Sequence, residues 1–177
     1  MPIQPRLVVT GGASAVLADA PAVPVSVAAA PGVEFYPLWG TGDGVPTVGP
    51  KPAEPVTLPF FAGPGGTRLL LARYAPASTV TVPSGDPAEL RAEADAVLPG
   101  LMDPFPPGAD SGMHTTDTLD YAVCLEGELW LETGDGTEVL LTPGTCVVQQ
   151  GAAHAWHNRG DVPALMCFVG IGAVRER

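Results

Sequence analysis

At 177 residues the chain is long enough for one domain with a sizeable core, and 46% of its residues are hydrophobic. Eight Lys and Arg against nineteen Asp and Glu leave a formal charge of -11, which speaks against nucleic acid or an anionic membrane surface as partner, since both demand a basic face. The 22 Gly and 21 Pro interrupt helices and central strands, so the chain must be built from short strands and turns, and no apolar run nears the roughly 18 residues that span a bilayer.

Residues 6–10 and 15–18, on either side of Gly11-Gly12, predict two short strands in a hairpin. Residues 20–32 are Ala, Val and Pro with no period and predict an extended connection. The run 32–39 (Gly-Val-Glu-Phe-Tyr-Pro-Leu-Trp) predicts an edge strand, because Pro37 removes a ladder donor. Between 40 and 64 Gly and Pro recur too often for a helix, leaving one more extended segment at 56–61. Residues 67–75 predict a strand, with a β-branched continuation at 79–82. One short helix is expected over 88–98, where Ser84 or Asp86 offers an N-cap, Pro87 suits the first helical position and Pro99-Gly100 ends it.

After a turn-rich loop at 101–112, strands are expected at 121–125, 128–132, 137–141, 146–149, 155–158 and 164–171. Turn signals every ~8–12 residues mark an antiparallel sandwich or small barrel. The fold class is therefore all-β. It forms one domain over 1–177, with 1–66 as an N-terminal β extension and 67–177 as the barrel. Cys124, Cys146 and Cys167 sit in apolar runs and predict buried free thiols; with no signal-peptide pattern at the start, they predict a soluble, cytoplasmic protein.

All three histidines fall between 113 and 172. His114, Thr116 and Asp120 share one strand parity, and His154, Trp156 and Asn158 share a face on a later strand, which turns His157 away. A straight strand would hold His114 and Asp120 about 20 Å apart, so the Thr-Thr-Asp-Thr between them must bend. With that bend, His114, Asp120 and His154 form a two-imidazole, one-carboxylate set that suits Fe(II), or zinc with a water; plain hydrogen bonding of half-buried histidines is the competing reading. Trp156 either lines a pocket mouth or fills the core, and Gln149 and Gln150 are placed to bond a substrate. Asp117 either orients a ligand histidine or caps a turn. Tyr121, Trp130 and Trp39 are packing candidates, and Glu126-Gly127 a turn.

At these residues the chain resembles the cupin superfamily. His114 matches the first His of that family's first motif, Asp120 falls at its Glu, and Gly127 follows at the expected place; Gly144, Gly151, His154 and Asn158 match the second motif. Thr116 stands where the second His belongs, Asp replaces Glu, and Gln149 replaces a Pro. The match covers about 112–172, and the Thr-Asp-Thr-Leu-Asp-Tyr run is similar to a subgroup of small single-domain cupins associated with secondary metabolism.

The resemblance implies a jelly-roll β-barrel with extra N-terminal strands. It implies one divalent ion (Fe, Zn, Mn or Ni) on His114, Asp120 and His154, with an ion-free site as the alternative that Thr116 leaves open. It also implies a small-molecule substrate touched by Thr116, Trp156 and Gln149. The expected activity is a metal-dependent lyase, isomerase or cyclase, the alternatives being an Fe(II) dioxygenase or a silent ligand-binding barrel. A homodimer is expected, because the edge strands of a small sandwich need cover.

Overall fold

The structure, a computed structural model, describes residues 2–12, 15–51, 53–82, 85–106 and 112–176. Strands β1 (Arg6–Gly11) and β2 (Ala15–Pro21) form the expected hairpin, with β2 continuing past Ala18. The main sheet has five strands in the order β3 (Val33–Thr41), β4 (Thr67–Tyr74), β10 (Ala164–Gly172), β5 (Thr118–Glu126) and β8 (Cys146–Gln150). A second sheet orders β7 (Glu138–Leu141), β6 (Leu129–Thr133) and β9 (His154–His157). Every pairing between these strands is antiparallel. The molecule is an all-β barrel of two sheets.

Sequence explains each strand's place. The near-continuous apolar run of β10 suits a central position with neighbours on both sides, β4 and β5. β3 lies at the sheet edge as Pro37 requires, and its register slips between Pro37 and Trp39. Gly127 has φ 71°, and a Cβ there would lie 2.8 Å from Ala164 Cα, so the tight turn from β5 to β6 admits only glycine.

Helix α1 (Pro87–Val97) starts where expected: the Asp86 carboxylate accepts from Ala88 N at 2.8 Å, and Pro87 occupies the first turn. Ser84, the other N-cap candidate, and residues 107–111 of the turn-rich loop lie outside the described residues. Two expectations are corrected. Residues 79–82 do not continue a strand, because a 3-10 turn at Ala77–Thr79 satisfies the backbone locally and the Thr79 hydroxyl donates to Pro76 O at 2.8 Å. Cys146 is exposed rather than buried, since β8 is the sheet edge, whereas Cys124 is buried and Cys167 half-buried; all three thiols are free.

Two cores flank the site. Ala122, Cys124 and Met166 of the main sheet pack against Leu129, Leu131 and Leu141 of the second sheet. Phe35 and Ala72 instead pack under Ala94 of the helix, Leu98 at its C-terminal end and Phe60 of the preceding loop. The inner face of the main sheet is thus roofed by the second sheet on one side and by α1 on the other. A cavity lies between these coverings.

Asn158 fastens the roof to the sheet. Buried just beyond β9, its Nδ2 donates to Tyr74 O and to Val162 O, both at 2.9 Å, while its Oδ1 accepts from Gly160 N at 2.9 Å. Asn158→Ala leaves two carbonyls and one N–H without partners, and the expected cost is about 2–4 kcal/mol. Urea denaturation checks this: a midpoint equal to that of the parent would contradict it.

Candidate functional site

The site begins with a β-bridge one residue wide. His114 N donates to His154 O and His154 N to His114 O, both at 3.0 Å, so His114 is held against the edge of the second sheet. Four residues later the chain enters β5 in the main sheet. The bend at Asp117 that makes this crossing is tied from outside: Arg175 Nε donates to Asp117 Oδ1 at 2.6 Å, and Arg175 Nη2 to Thr116 O at 2.9 Å. The bend required by distance is therefore present, but Asp117 neither orients a histidine nor caps a turn. It is ion-paired to Arg175.

His114 and His154 face each other with ring centroids 4.4 Å apart. Each ring is fixed in the same way, with Nδ1 2.9 Å from the carbonyl two residues earlier, Gly112 O for His114 and Ala152 O for His154. A carbonyl accepts only, so Nδ1 carries the proton and Nε2, with its lone pair, is the free ring atom of both. Burial, followed by the neighbouring His154, lowers the His114 pKa to about 4. Burial also lowers that of His154, opposed by the Ala152 carbonyl and by Asp120. Both imidazoles are neutral at pH 7.

Asp120 stands beside this pair. Its Oδ2 lies 2.6 Å from Thr118 Oγ1, which is in turn 2.7 Å from Thr116 Oγ1. Burial raises the Asp120 pKa, and the Thr118 hydrogen bond opposes the rise. Thr116, the substitute for an imidazole, is thus bound into a hydroxyl chain leading to the carboxylate. Among the described residues no three His, Cys, Asp or Glu side chains are gathered closely enough to share one ion. The imidazoles fit a metal through Nε2, but the expected third ligand is held on Thr118.

The cavity encloses about 910 Å³, near the upper end of the ~300–1,000 Å³ usual for small-molecule sites. His114, Thr116, Asp120, Gln149, His154 and Trp156 all line it, whereas Gln150, the other glutamine expected to bond a substrate, is exposed and does not. Trp156 meets both His154 and Phe168 edge to face, at 5.5 and 5.4 Å. Buried Gln149 keeps its Nε2 without a partner, the one such buried side-chain atom among the described residues. His157 instead pairs with Glu132 Oε2 at 2.8 Å, away from the cavity. Glu126, expected only to turn the chain, accepts from Ile3 N at 3.0 Å and Arg73 Nη1 at 3.3 Å.

Four cavity residues escaped the sequence reading. Thr118 has the parity of Thr116 and Asp120, a signal that was available. Arg68 and Tyr74 share one face of β4, where a charge at the parity of Leu70 and Ala72 was the clue. Burial raises the Tyr74 pKa, which keeps the phenol protonated. Phe105, stacked on His114 at 4.5 Å, comes from the turn-rich loop, which has no period to read.

Residues 103–170 match the family described as Cupin domain, and that span contains both histidines of the bridge and Asp120. This stretch of the chain carries the cupin match. It is 37% identical over 78 residues to a cupin-domain-containing oxidoreductase, fogC, of Aspergillus ruber, covering 42% of this chain and 38% of that protein. It is 43% identical over 68 residues to the phomopsin biosynthesis cluster protein C' of Diaporthe leptostromiformis, covering 38% and 36%. The cupin stretch thus spans little more than a third of the curated relatives it matches. Among solved structures, a Cupin 2 conserved barrel domain protein from Salinispora arenicola aligns over 80% of this chain and 76% of its own, with 16% identity and a TM-score of 0.43.

The neutral imidazoles give a pH signature. An unfolded histidine takes its proton near pH 6.5 and His114 only near 4, so the unfolded state binds that proton first. Stability from this group is complete above about pH 6.5 and is lost as pH falls toward 4. In a two-dimensional NMR titration the His114 ring signals should hold their neutral positions at pH 6.5 and move toward a midpoint of about 4. A midpoint near 6.5 would contradict the burial that the structure assigns to it.

Proposed function

We propose that this chain is a cupin enzyme of secondary metabolism that acts on a small organic metabolite, moving protons with His114, His154 and Asp120. The observation that carries the reading is the pair of neutral imidazoles with free Nε2 atoms, set beside a half-buried carboxylate in a largely apolar cavity. Relatives named as a cupin oxidoreductase and as a biosynthesis-cluster protein support the metabolic setting. A lyase, isomerase or cyclase is the reaction type that such proton transfer serves.

In this reading Nε2 of one imidazole accepts a proton from an acidic C–H or O–H of the substrate. Asp120, whose burial favours the protonated form, holds or returns a proton on the same side. Phe105 over His114 and Trp156 against His154 hold the two rings in place. Thr116 and Thr118 fix the carboxylate, and Gln149 offers an N–H to a substrate oxygen.

A divalent ion (Fe, Zn, Mn or Ni) would be held by Nε2 of His114 and His154, with Asp120 joining only on leaving Thr118. Bound there, it would polarise a substrate oxygen as a Lewis acid or, as Fe(II), support the dioxygenase chemistry that the oxidoreductase relatives favour as a second reading.

The test is metal content after incubation with Fe(II), Zn(II), Mn(II) or Ni(II). His154→Ala should lose most of its ion while staying folded by circular dichroism, whereas His157→Ala, paired with Glu132 outside the cavity, should keep it. Equal loading of the two variants, or a parent that takes up no ion, defeats the metal reading. The three residues would then remain as a metal-free acid–base group.

A further inference from the structure

Arg68 lines the cavity, yet neither the proton chemistry nor an ion calls for it. It is buried, at 5% exposure, on the inner face of β4. Its Nε donates to Pro59 O at 2.8 Å, and its Nη1 to Thr41 O at 2.9 Å and Thr67 O at 2.7 Å. These carbonyls neutralise no charge. Nη2, with two further N–H groups, has no partner among the described residues, and no carboxylate there forms an ion pair with the guanidinium. Exposed Asp43 is the one charge it feels, and burial acts against its charged form. A buried cation without a matching anion is costly, and an anionic ligand relieves that cost.

Strand register places this cation relative to the acid–base group. Arg68 on β4 stands opposite Gly170 on β10, which stands opposite Asp120 on β5, which stands opposite Gln149 on β8. All four line the cavity. With strands about 4.8 Å apart, the backbones of Arg68 and Asp120 lie roughly 10 Å from each other, with a residue lacking a side chain between them. A Cβ built at Gly170 would meet Asp120 Oδ1 at 2.9 Å and nothing else within 4 Å. The floor is therefore bare on the Arg68 side.

We propose that Arg68 docks a carboxylate of the cavity's ligand, which lies over Gly170 and presents its reacting part to His114, His154 and Asp120. This rests on the reading of the cavity as the substrate site and narrows the substrate to a largely apolar carboxylic acid. The apolar body is accommodated by Phe35, Phe60, Leu70, Leu101 and Met102, which line the same space. With Nε and Nη1 held by carbonyls, Nη2 offers its N–H groups to a carboxylate oxygen, and the charge of that bond distinguishes this site from a neutral contact.

A matched probe pair tests it: 2-naphthoate and 2-naphthamide, equal in shape and different in charge, titrated by calorimetry at pH 7.5. The parent should bind naphthoate about tenfold or more tighter than the amide, as a charge-assisted bond implies. Arg68→Gln should bring the ratio close to one while leaving amide affinity within about twofold, and Arg68→Lys should retain part of the preference. A purely structural Arg68 would lower the melting temperature of both variants without moving the ratio, and that result overturns the proposal. So does a parent ratio near one, a parent that binds neither probe, or an unaltered ratio in Arg68→Gln. The parent ratio is informative even if that variant does not fold. His154→Ala should keep the preference, so failure of the proton chemistry and failure of the carboxylate site are told apart; loss of the preference in His154→Ala instead would refute the assignment to Arg68.

Discussion

Two backbone hydrogen bonds between His114 and His154 hold the site together. The bridge is isolated, with no ladder on either side to share the load, so its geometry is set by what flanks it. On one side Arg175 clamps Asp117 and the Thr116 and Gly151 carbonyls, fixing the point where the chain leaves one sheet for the other. On the other, each imidazole bonds the carbonyl two residues before it. Because that bond is the same on both strands of an antiparallel pair, the two rings present the same tautomer and the same free nitrogen. The local carbonyls thus set the tautomer of each ring, and the Arg175 clamp fixes the chain segments that flank the bridge.

Around the imidazoles the fold keeps polar groups where an apolar barrel would be more stable. Gln149 Nε2 is buried with no partner, Arg68 is a cation without an ion pair among the described residues, and Tyr74 and Asp120 are both shifted toward their protonated forms by burial. Each would cost stability in a site with only a structural purpose. Their gathering in one cavity, while the cores on both sides are filled by Leu, Met, Phe and Ala, places the departures from good packing where a ligand would sit.

Much of this was readable from the residues because strand period and turn chemistry are local. Alternation marked the strands, Asp86 and Pro87 marked the helix start, and the length of an extended residue alone required the bend between His114 and Asp120. What escaped reading depends on partners far along the chain. Asp117 is governed by Arg175, fifty-eight residues away, and Glu126 by Ile3, one hundred and twenty-three away. Neither separation leaves a trace in local pattern. Asn158 was visible at motif spacing, but its work is structural, tying β9 to Tyr74 and Val162. Whether Asp120 closes on the same point as the imidazoles turned on Thr118, whose hydroxyl no spacing rule weighs.

Gly170 and Gly172 show how packing and function can be separated within one strand. Glycine inside a strand costs backbone entropy and supplies no side chain to the core, so each needs a reason. Gly172 has one in the fold, since a Cβ there would fall on the Gly63 carbonyl, and backbone cannot give way cheaply. Gly170 has no such neighbour; its hypothetical Cβ meets only the Asp120 carboxylate, on the cavity side. Its smallness therefore preserves open floor and the placement of the Asp120 carboxylate rather than the closeness of two strands. A fold optimised only for density would fill that position.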